Sequence, residues 1–251
     1  MLFYGVIKLS NYFIISLDFD GVLAYALTLK LKYAKEWFGV NLTLSQTKKE
    51  GFNKLMESLG KNDINYRKLM DKIVEEHSME FEIPQNCIPV LKRLHNQGFR
   101  FVVITSRNDH DYPYAKSFIK TKFGNLIKYI HNTKDEPKEK FVKKLKPRIH
   151  LDDDLYKLQA LINVPLHLVY YRLPDNQQIN LKNDNQLFEV DNWLDFESLC
   201  LYLKQIHEAI CWSYGLKNVY SNNKSIYKIY NLINSDQLQK LIKEYFADLA
   251  A

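Results

Sequence analysis

The chain has 251 residues, of which 46% are hydrophobic and 14% aromatic. This composition can supply a hydrophobic core and excludes a disordered or low-complexity protein. The formal net charge is +6, and a lysine-rich stretch between residues 134 and 148 holds much of the excess, which predicts attraction to anionic partners. Because Phe141 is the only aromatic residue there and no nucleic-acid-binding motif is present, we interpret the stretch as a solvated helix face near a phosphate site and expect no nucleic-acid partner.

The first predicted element is a buried strand. The apolar run from Tyr12 to Leu17 ends in Asp18-Phe19-Asp20-Gly21, which is typical of a strand followed by a turn. A helical period then predicts three helices, at residues 24–38, 52–59 and 62–76. Pro84 interrupts this region, and a fourth helix is predicted at 87–96, with Gly98 at its end.

From residue 101 onward strands and helices alternate. The continuous apolar run 101–104 is typical of a central parallel strand buried on both faces. Further strands are predicted at 127–131, 148–151 and 166–171, separated by helices at 114–123, 138–145 and 155–161. The order predicts an α/β fold with a Rossmann-like, doubly wound parallel sheet.

The pattern divides the chain into three parts. We expect a core formed by residues 1–24 and 83–192, a helical cap inserted at 25–82, and a helical C-terminal extension at 193–251. In the extension an apolar stripe runs through Phe196, Leu199, Leu203 and Ile206, and Ser235 is the expected N-cap of a last helix. Such stripes are more often packing faces than lipid-binding faces, so core packing is favoured and peripheral membrane contact through 193–251 is the alternative.

Polar side chains follow three of the predicted strands. Ligands of open α/β sheets bind outside the carboxyl ends of the strands, so we expect these side chains to converge. They supply carboxylates for a hard cation and donors for a phosphoryl group. The residues are Asp18 and Asp20, Thr105 to Arg107, and Asp152 with Asp153.

These motifs resemble those of the haloacid dehalogenase-like (HAD-like) phosphatases. The first family motif, an apolar strand followed by Asp-x-Asp-Gly-Val/Thr-Leu, matches residues 14–23, with Ser16 at a usually apolar position. The second, an apolar strand ending in Thr or Ser, matches 101–105, and the fourth, a strand ending in Asp-Asp, matches 149–153. The third motif is a lysine, for which Lys138 is the first candidate and Lys140 and Lys134 are the alternatives.

The resemblance covers residues 12–172, implies a helical C1-type cap, and assigns roles to individual residues. Asp18 would be the nucleophile that forms an aspartyl-phosphate, and Asp20 the general acid and base. Mg²⁺ would be bound by Asp18, the Asp20 carbonyl and Asp152, with Asp153 assisting. Thr105 and Lys138 would complete the catalytic set, and Gly21, Ser106 and Arg107 would contact the substrate phosphate.

The cysteines predict no disulfide and no metal site. Cys87, Cys200 and Cys211 are widely spaced, which is typical of reduced thiols in a cytosol. Cys87 and Arg93 have the Cys-x5-Arg spacing of cysteine-dependent tyrosine phosphatases, but the intervening residues contain no glycine and read as an amphipathic helix. We therefore interpret Cys87 as a packing residue.

The substrate is open at this level. The basic, tyrosine-rich chain resembles in style the HAD-type phosphotyrosine phosphatases that intracellular bacterial pathogens deliver as effectors into host cells. Residues 104–107 and 151–153 also resemble motifs of deoxyribonucleotide phosphatases, which implies a 5'-nucleotidase or another small-molecule phosphatase. We favour the phosphotyrosine protein. An inactive scaffold that binds a partner or a membrane through its C-terminal helices is an alternative of another class.

Two locations are compatible with the sequence. No segment of residues 1–11 reads as a cleavable signal or a membrane span. We therefore expect a cytoplasmic protein, or one secreted into a host cell without a cleavable signal, with peripheral membrane contact as a further possibility.

Overall fold

The computed structural model describes residues 12–134, 136–174 and 187–214, together with Gln237 and Lys240. The strands are β1 (Phe13–Leu17), β2 (Phe99–Thr105), β3 (Ile127–Asn132), β4 (Ile149–Asp152), β5 (His167–Tyr171) and β6 (Leu187–Val190). The helices are α1 (Leu27–Phe38), α2 (Lys49–Ser58), α3 (Tyr66–His77), α4 (Cys87–Asn96), α5 (Tyr112–Phe123), α6 (Lys138–Leu145), α7 (Leu155–Gln159) and α8 (Trp193–Ser213). Short 3₁₀ turns lie at Leu44–Thr47, Ser78–Glu80 and Gly124–Leu126.

The predicted parallel, doubly wound sheet is confirmed. The strand order is β3-β2-β1-β4-β5-β6, and every neighbouring pair is parallel. β1 is central, and Leu17 near its carboxyl end is level with Val103 of β2 and Leu151 of β4. The residues that follow these three strands therefore meet at one edge of the sheet, at the point where the strand order reverses.

Helices cover both faces of the sheet. On one face Phe13, Ile15 and Leu17 of β1 belong to a large apolar cluster that also includes residues of α4, α5 and α8. On the other face Ile104 and Leu168 pack with α6 and α7, whose buried residues include Val142, Leu155 and Leu158. All five residues of β1 are buried, as expected for a central parallel strand.

The segment 187–213 contains two elements that belong to the core. β6 pairs with β5, and the sequence analysis missed it. Asn192 caps α8 by accepting hydrogen bonds from the backbone N–H groups of Leu194 and Asp195, at 2.9 and 3.0 Å. Trp193 and Phe196 are completely buried in the cluster that contains β1. The described part of the predicted extension therefore packs against the core, and the domain boundary at residue 192 stays a prediction.

The apolar stripe of α8 is a packing face. Phe196, Leu203 and Ile206 are buried, and Arg93 of α4 forms a two-pronged ion pair with Glu197 on α8, at 2.7 and 2.6 Å. Across the described ranges no helix is both long and apolar enough to cross a bilayer. The expected helix capped by Ser235 lies outside the described residues, and membrane contact through that region stays a prediction.

The helical insertion leaves and rejoins the core at one place. Tyr25 and Glu82 exchange backbone hydrogen bonds of 2.8 and 3.0 Å, and α1, α2 and α3 lie between them in the chain. The Tyr33 ring stacks on both the Trp37 ring and the His77 ring, with centroids 4.2 Å apart in each pair, and its contact with His77 ties α1 to α3. The cap boundaries at 25 and 82 stay a prediction as domain limits.

Two buried histidines join α8 to the sheet. His167 and His207 are fully buried, and their Nε2 atoms are 2.9 Å apart, so one ring donates to the other. The buried guanidinium of Arg148 lies 3.5 Å from His207 Nδ1. Burial and the Arg148 charge lower the pKa of His167 to about 3, and burial together with His167 and Arg148 holds the pKa of His207 well below its usual value.

This pair predicts a loss of stability on acidification. Below pH about 6.5 the unfolded chain binds protons at both histidines that the folded chain cannot bind, so the free energy of unfolding should fall by about 1.4 kcal/mol per pH unit for each histidine. We expect the fall between pH 7.5 and 5.5 to be smaller in His207→Gln by about 1.4 kcal/mol, measured by urea denaturation at both pH values. Equal falls in the two proteins would contradict the neutral, buried assignment.

Candidate active site

The site is built around Asp18, the first residue after β1. Its backbone N–H donates to the carbonyl of Leu151 on β4 at 2.9 Å, which extends the β1 pairing by one residue. The Asp18 side chain is buried, and an apolar environment disfavours an ionised carboxylate. A buried charge requires a partner, and the partners of Asp18 come from α6 and α7.

Lys138, the first residue of α6, bridges two carboxylates. Its Nζ atom donates to Asp18 Oδ1 at 2.6 Å and to Asp152 Oδ2 at 2.5 Å, and all three side chains are buried. The alternatives for the third motif lie elsewhere: Lys140 pairs with Glu136 and Lys134 with Asp109, both on the surface. The structure brings Lys138, and neither alternative, to Asp18.

Three carboxylates form a cluster that fits a hard cation. Asp18, Asp152 and Asp153 each offer an oxygen, and these oxygens lie within 4.8 Å of one another. Hard divalent cations take oxygen ligands at about 2.0–2.6 Å, so one ion can reach all three. The side chain of Asp20 is not in this cluster, and a contribution of its carbonyl stays a prediction. The third acidic residue, Asp154, caps α7 by accepting from the N–H groups of Tyr156 and Lys157.

The carboxylates of this cluster differ in proton affinity. Burial and the charges of Asp152 and Asp18 raise the pKa of Asp153 to about 8, and burial raises that of Asp18 despite Lys138. At Asp152 burial acts in the same sense, but the charges of Lys138 and Lys157 together with His150 outweigh it and hold the pKa well below its usual range. Asp152 is therefore held in its ionised form, whereas further positive charge would be required to stabilise the ionised forms of Asp18 and Asp153.

Gly21 allows Asp153 to approach the turn after β1. Gly21 has φ +78°, and a Cβ atom built there would lie 2.4 Å from Cγ of Asp153. Any side chain at this position would displace a carboxylate of the cation cluster. Gly21 also lines the cavity beside the site, where a substrate contact was predicted.

Asp20 is held by Arg107, one of the predicted phosphate-binding residues. Arg107 Nε and Nη2 donate to the two carboxylate oxygens of Asp20 at 2.9 and 2.6 Å, and the guanidinium lies over the rings of Phe19 and Phe81. Burial raises the pKa of Asp20, but the charge and hydrogen bonds of Arg107 outweigh it, so the pKa lies below its usual value. The structure thus places Arg107 on the proposed acid and base.

Thr105 and Ser106 follow β2 at the same edge. Thr105 is buried, and its carbonyl accepts from the backbone N–H of Thr133 at 2.8 Å. Ser106 is exposed, lines the cavity, and accepts a hydrogen bond of 3.2 Å from the Thr133 hydroxyl. Both residues therefore lie where the motif placed them, with Ser106 open to a ligand.

Ser16, the departure from the first motif, has a partner on the neighbouring strand. Its Oγ lies 2.9 Å from Nδ1 of His150 on β4, and Nε2 of that ring lies 3.4 Å from Asp152 Oδ2. Ser16, His150 and Asp152 are all fully buried within the sheet. Ser16 thereby orients His150 beside a carboxylate of the cation cluster.

Lys157 on α7 is a site residue that the sequence analysis missed. Its Nζ atom lies 3.8 Å from Asp18 Oδ2, on the opposite oxygen from Lys138, and the side chain lines the cavity with 36% of its surface exposed. The charge of Asp18 is the largest cause that raises the pKa of Lys157. An ammonium group therefore lies between the nucleophile and the open cavity.

Replacing Lys157 with methionine should weaken phosphate binding. A charge-assisted hydrogen bond contributes about 1.5–3 kcal/mol, so we expect the Kd for inorganic phosphate to rise about tenfold or more. The free energy of unfolding should change by less than about 1 kcal/mol, because the ammonium is partly exposed. Calorimetric titration with phosphate measures the effect, and Lys157→Arg should retain most of the affinity. Unchanged affinity in Lys157→Met would exclude this contact.

A cavity of about 680 Å³ opens beside these residues, between the sheet edge and the cap. Asp20, Ser106, Arg107 and Lys157 line it on the core side. The cap contributes Lys30, Lys48, Lys49, Tyr66 and Arg67. Cys87 is not among the residues that line this cavity. It is buried in the apolar cluster, and burial raises the pKa of its thiol, which agrees with the packing interpretation.

The doubly wound sheet with Asp18 at its edge is shared, as a fold, with solved structures of other proteins. The fold is that of the HAD-like hydrolases. A HAD family hydrolase from Deinococcus radiodurans R1 with bound phosphate and sodium is similar over 78% of this chain and 97% of its own, at 10% identity and a TM-score of 0.57. A HAD-like hydrolase from Streptococcus pneumoniae is similar over 76% and 99%, at 12% identity and a TM-score of 0.54.

A third solved structure is a HAD-hydrolase from Bacillus subtilis bound to magnesium. It is similar over 76% of this chain and 99% of its own, at 14% identity and a TM-score of 0.53. No protein-family model and no curated protein matches the chain by sequence. The similarity is therefore one of fold, and the chemistry rests on the residues of the site.

Proposed function

We propose that the chain hydrolyses phosphate monoesters through an aspartyl-phosphate on Asp18. The observation that carries the proposal is the buried Asp18 carboxylate bound to Lys138 at 2.6 Å, beside the oxygens of Asp152 and Asp153. Carboxylates alone would repel a phosphate dianion, so such a site needs cations. The bound phosphate of one fold neighbour and the bound magnesium of another support this choice.

The reaction has two displacement steps. A carboxylate oxygen of Asp18 forms a bond to phosphorus while the bond from phosphorus to the leaving-group oxygen breaks. Water then attacks the phosphorus, Asp20 accepts a proton from that water, and the bond to Asp18 breaks to release inorganic phosphate. Lys138 neutralises charge on Asp18 and keeps the carboxylate in place. Mg²⁺, held by Asp18, Asp152 and Asp153, would supply positive charge to the phosphoryl oxygens.

The contact between Arg107 and Asp20 favours substrates with good leaving groups. Arg107 keeps Asp20 ionised, which suits a base but makes Asp20 a weak proton donor. A phenol has a pKa of about 10 and can leave with little protonation, whereas an alkyl alcohol leaves much less readily. Aryl phosphates are therefore the preferred substrates, and phosphotyrosine is the aryl phosphate of proteins. The effector subtype stays a prediction.

A nucleotide is the second candidate substrate. Small-molecule sites typically have volumes of about 300–1,000 Å³, and the cavity of about 680 Å³ falls in this range. Its aromatic lining, with Tyr25, Tyr66 and Tyr156, could also contact a base. Nucleoside 5'-phosphates are alkyl esters, so this candidate requires Asp20 to donate a proton.

The proposed function is tested by phosphate release with Mg²⁺ and with EDTA. The panel contains phosphotyrosine, phosphoserine and phosphothreonine peptides, nucleoside monophosphates and sugar phosphates. Magnesium-dependent turnover with phosphotyrosine preferred is the expected result. Preference for nucleotides would replace the substrate but retain the reaction, and no turnover of any ester would favour the scaffold alternative.

Asp20→Asn should separate aryl from alkyl substrates in the first displacement step. We expect the burst of leaving group from 4-nitrophenyl phosphate to fall less than about tenfold, because nitrophenolate needs no proton, and that from an alkyl phosphate to fall by about 10²–10⁴. Rapid-quench measurement of the first turnover distinguishes this step from the later attack of water. Asp63→Asn, an exposed carboxylate of the cap, is the matched control. Equal falls for both esters would contradict the role of Asp20 as the proton donor to alkyl leaving groups.

A further inference from the structure

The cap wall of the cavity carries positive charge opposite the catalytic carboxylates. Lys30 comes from α1, Lys48 and Lys49 from the start of α2, and Tyr66 from α3. None of these residues belongs to the three motifs that the proposed reaction uses. Their position on the cap side of the cavity makes them candidates for contacting the rest of the substrate.

Lys30 and Lys49 differ from three other cations of the cavity. Arg107 is neutralised by Asp20, Arg67 by Asp71 and Asp111, and Lys157 by Asp18 and Asp154. Within residues 12–134, 136–174 and 187–214, no carboxylate lies within 4.0 Å of the Lys30 or Lys49 ammonium group. Both lysines therefore line the cavity without a direct ion pair among the described residues, and the catalytic carboxylate on which the Lys30 charge acts is Asp20.

The surroundings of the two lysines suit an anion attached to a ring. Lys30 Nζ lies 5.5 Å from the centroid of the Tyr66 ring. Lys49 is the first residue of α2, whose N-cap is Lys48, so the positive end of a helix of 10 residues lies at the same wall. Two ammonium groups, a helix N-terminus and an aromatic face thus share one side of the cavity.

We propose that Lys30 and Lys49 bind a second anionic group on the leaving group of the substrate. The inference rests on the proposed phosphatase function and narrows its substrate class. The substrate is an aryl phosphate that carries a carboxylate near its ring, as a phosphotyrosine does when an acidic side chain lies beside it. The transferred phosphoryl group occupies the core side, and the second anion occupies the cap side.

Binding of non-hydrolysable phosphonates tests the proposal without relying on turnover. The probes are phenylphosphonate and two derivatives with a carboxylate at the para position, attached directly or through a two-carbon chain, titrated by calorimetry in Mg²⁺. In the parent protein at least one carboxylate should lower Kd about tenfold, because two exposed ion pairs each strengthen binding several-fold. In the double variant Lys30→Met/Lys49→Met that preference should disappear, while Kd for phenylphosphonate changes less than about twofold.

Lys54→Met is the matched control, because Lys54 is an exposed lysine of α2 outside the cavity lining. It should keep the parent preference. Equal preference in the parent and the double variant, or no preference in the parent for either carboxylate, would overturn the proposal. Failure of the phosphatase function has a different signature: phosphonates would bind, yet phenyl phosphate would release no phosphate.

Discussion

Replacing Asp18 with asparagine is expected to lower turnover by at least about a thousandfold. The amide is neutral and a poor nucleophile, so the aspartyl-phosphate cannot form. Its shape is close to that of the carboxylate, and Lys138 keeps Asp152 as a partner at 2.5 Å. The protein should therefore fold, and the loss should fall on the chemical step rather than on KM.

Two measurements distinguish this loss from a general defect. Steady-state phosphate release gives kcat, and acid quenching after mixing with a radiolabelled ester detects phosphate covalently bound to the chain. The parent should show bound label and Asp18→Asn none. Asp63→Asn, in the cap, should resemble the parent. Turnover retained by both Asp18→Asn and Asp18→Ala would place the nucleophile elsewhere.

The position of the site could be predicted because parallel strands restrict where polar residues meet. Continuous apolar runs indicated β1, β2 and β4, and the motif residues directly follow them. Once these strands are parallel neighbours, Leu17 is level with Val103 and Leu151, and the residues beyond them converge. Local sequence therefore contained most of the information about Asp18, Thr105 and Asp152.

Contacts made by helices were harder to predict from the sequence. Lys134, Lys138 and Lys140 are the same residue type within one lysine-rich stretch, so the sequence does not distinguish them. Only the start of α6 after Pro137 directs Lys138 inward, whereas Lys140 pairs with Glu136. Lys157 lies in the first turn of α7, and its approach to Asp18 depends on how that short helix packs. No periodicity in sequence encodes either direction.

Tertiary packing also decided the C-terminal part of the described chain. β6 has only four residues, and one of them is the exposed Glu189. The strand is therefore too short and too polar to be recognised as an apolar run. The apolar stripe of α8 could be recognised in the sequence, but the core surface against which it packs could not. The pair of Arg107 with Asp20 likewise joins residues 87 positions apart, so a residue predicted to bind the substrate phosphate became the partner of the predicted general acid and base.

Lys138→Met should reduce stability and alter the response to magnesium. Removing the bridging ammonium leaves the buried carboxylates of Asp18 and Asp152 facing each other, and breaking a buried ion pair costs about 3–5 kcal/mol. We expect urea denaturation in EDTA to show this loss. Mg²⁺ should recover more stability in Lys138→Met than in the parent, because the cation then replaces the missing positive charge in the folded state.

The matched control is Lys140→Met, one of the two alternatives for the third motif. Lys140 pairs with Glu136 on the surface, and such a pair contributes at most about 1 kcal/mol, so its loss should barely change stability, magnesium response or turnover. Lys138→Arg keeps the charge in a larger group, so its free energy of unfolding should lie between those of the parent and Lys138→Met. If Lys138→Met matched Lys140→Met in all three measurements, the ammonium bridge would not hold Asp18, and the assignment of the third motif would pass to another lysine. Lys157, already 3.8 Å from the second oxygen of Asp18, would then be the residue best placed to supply the charge.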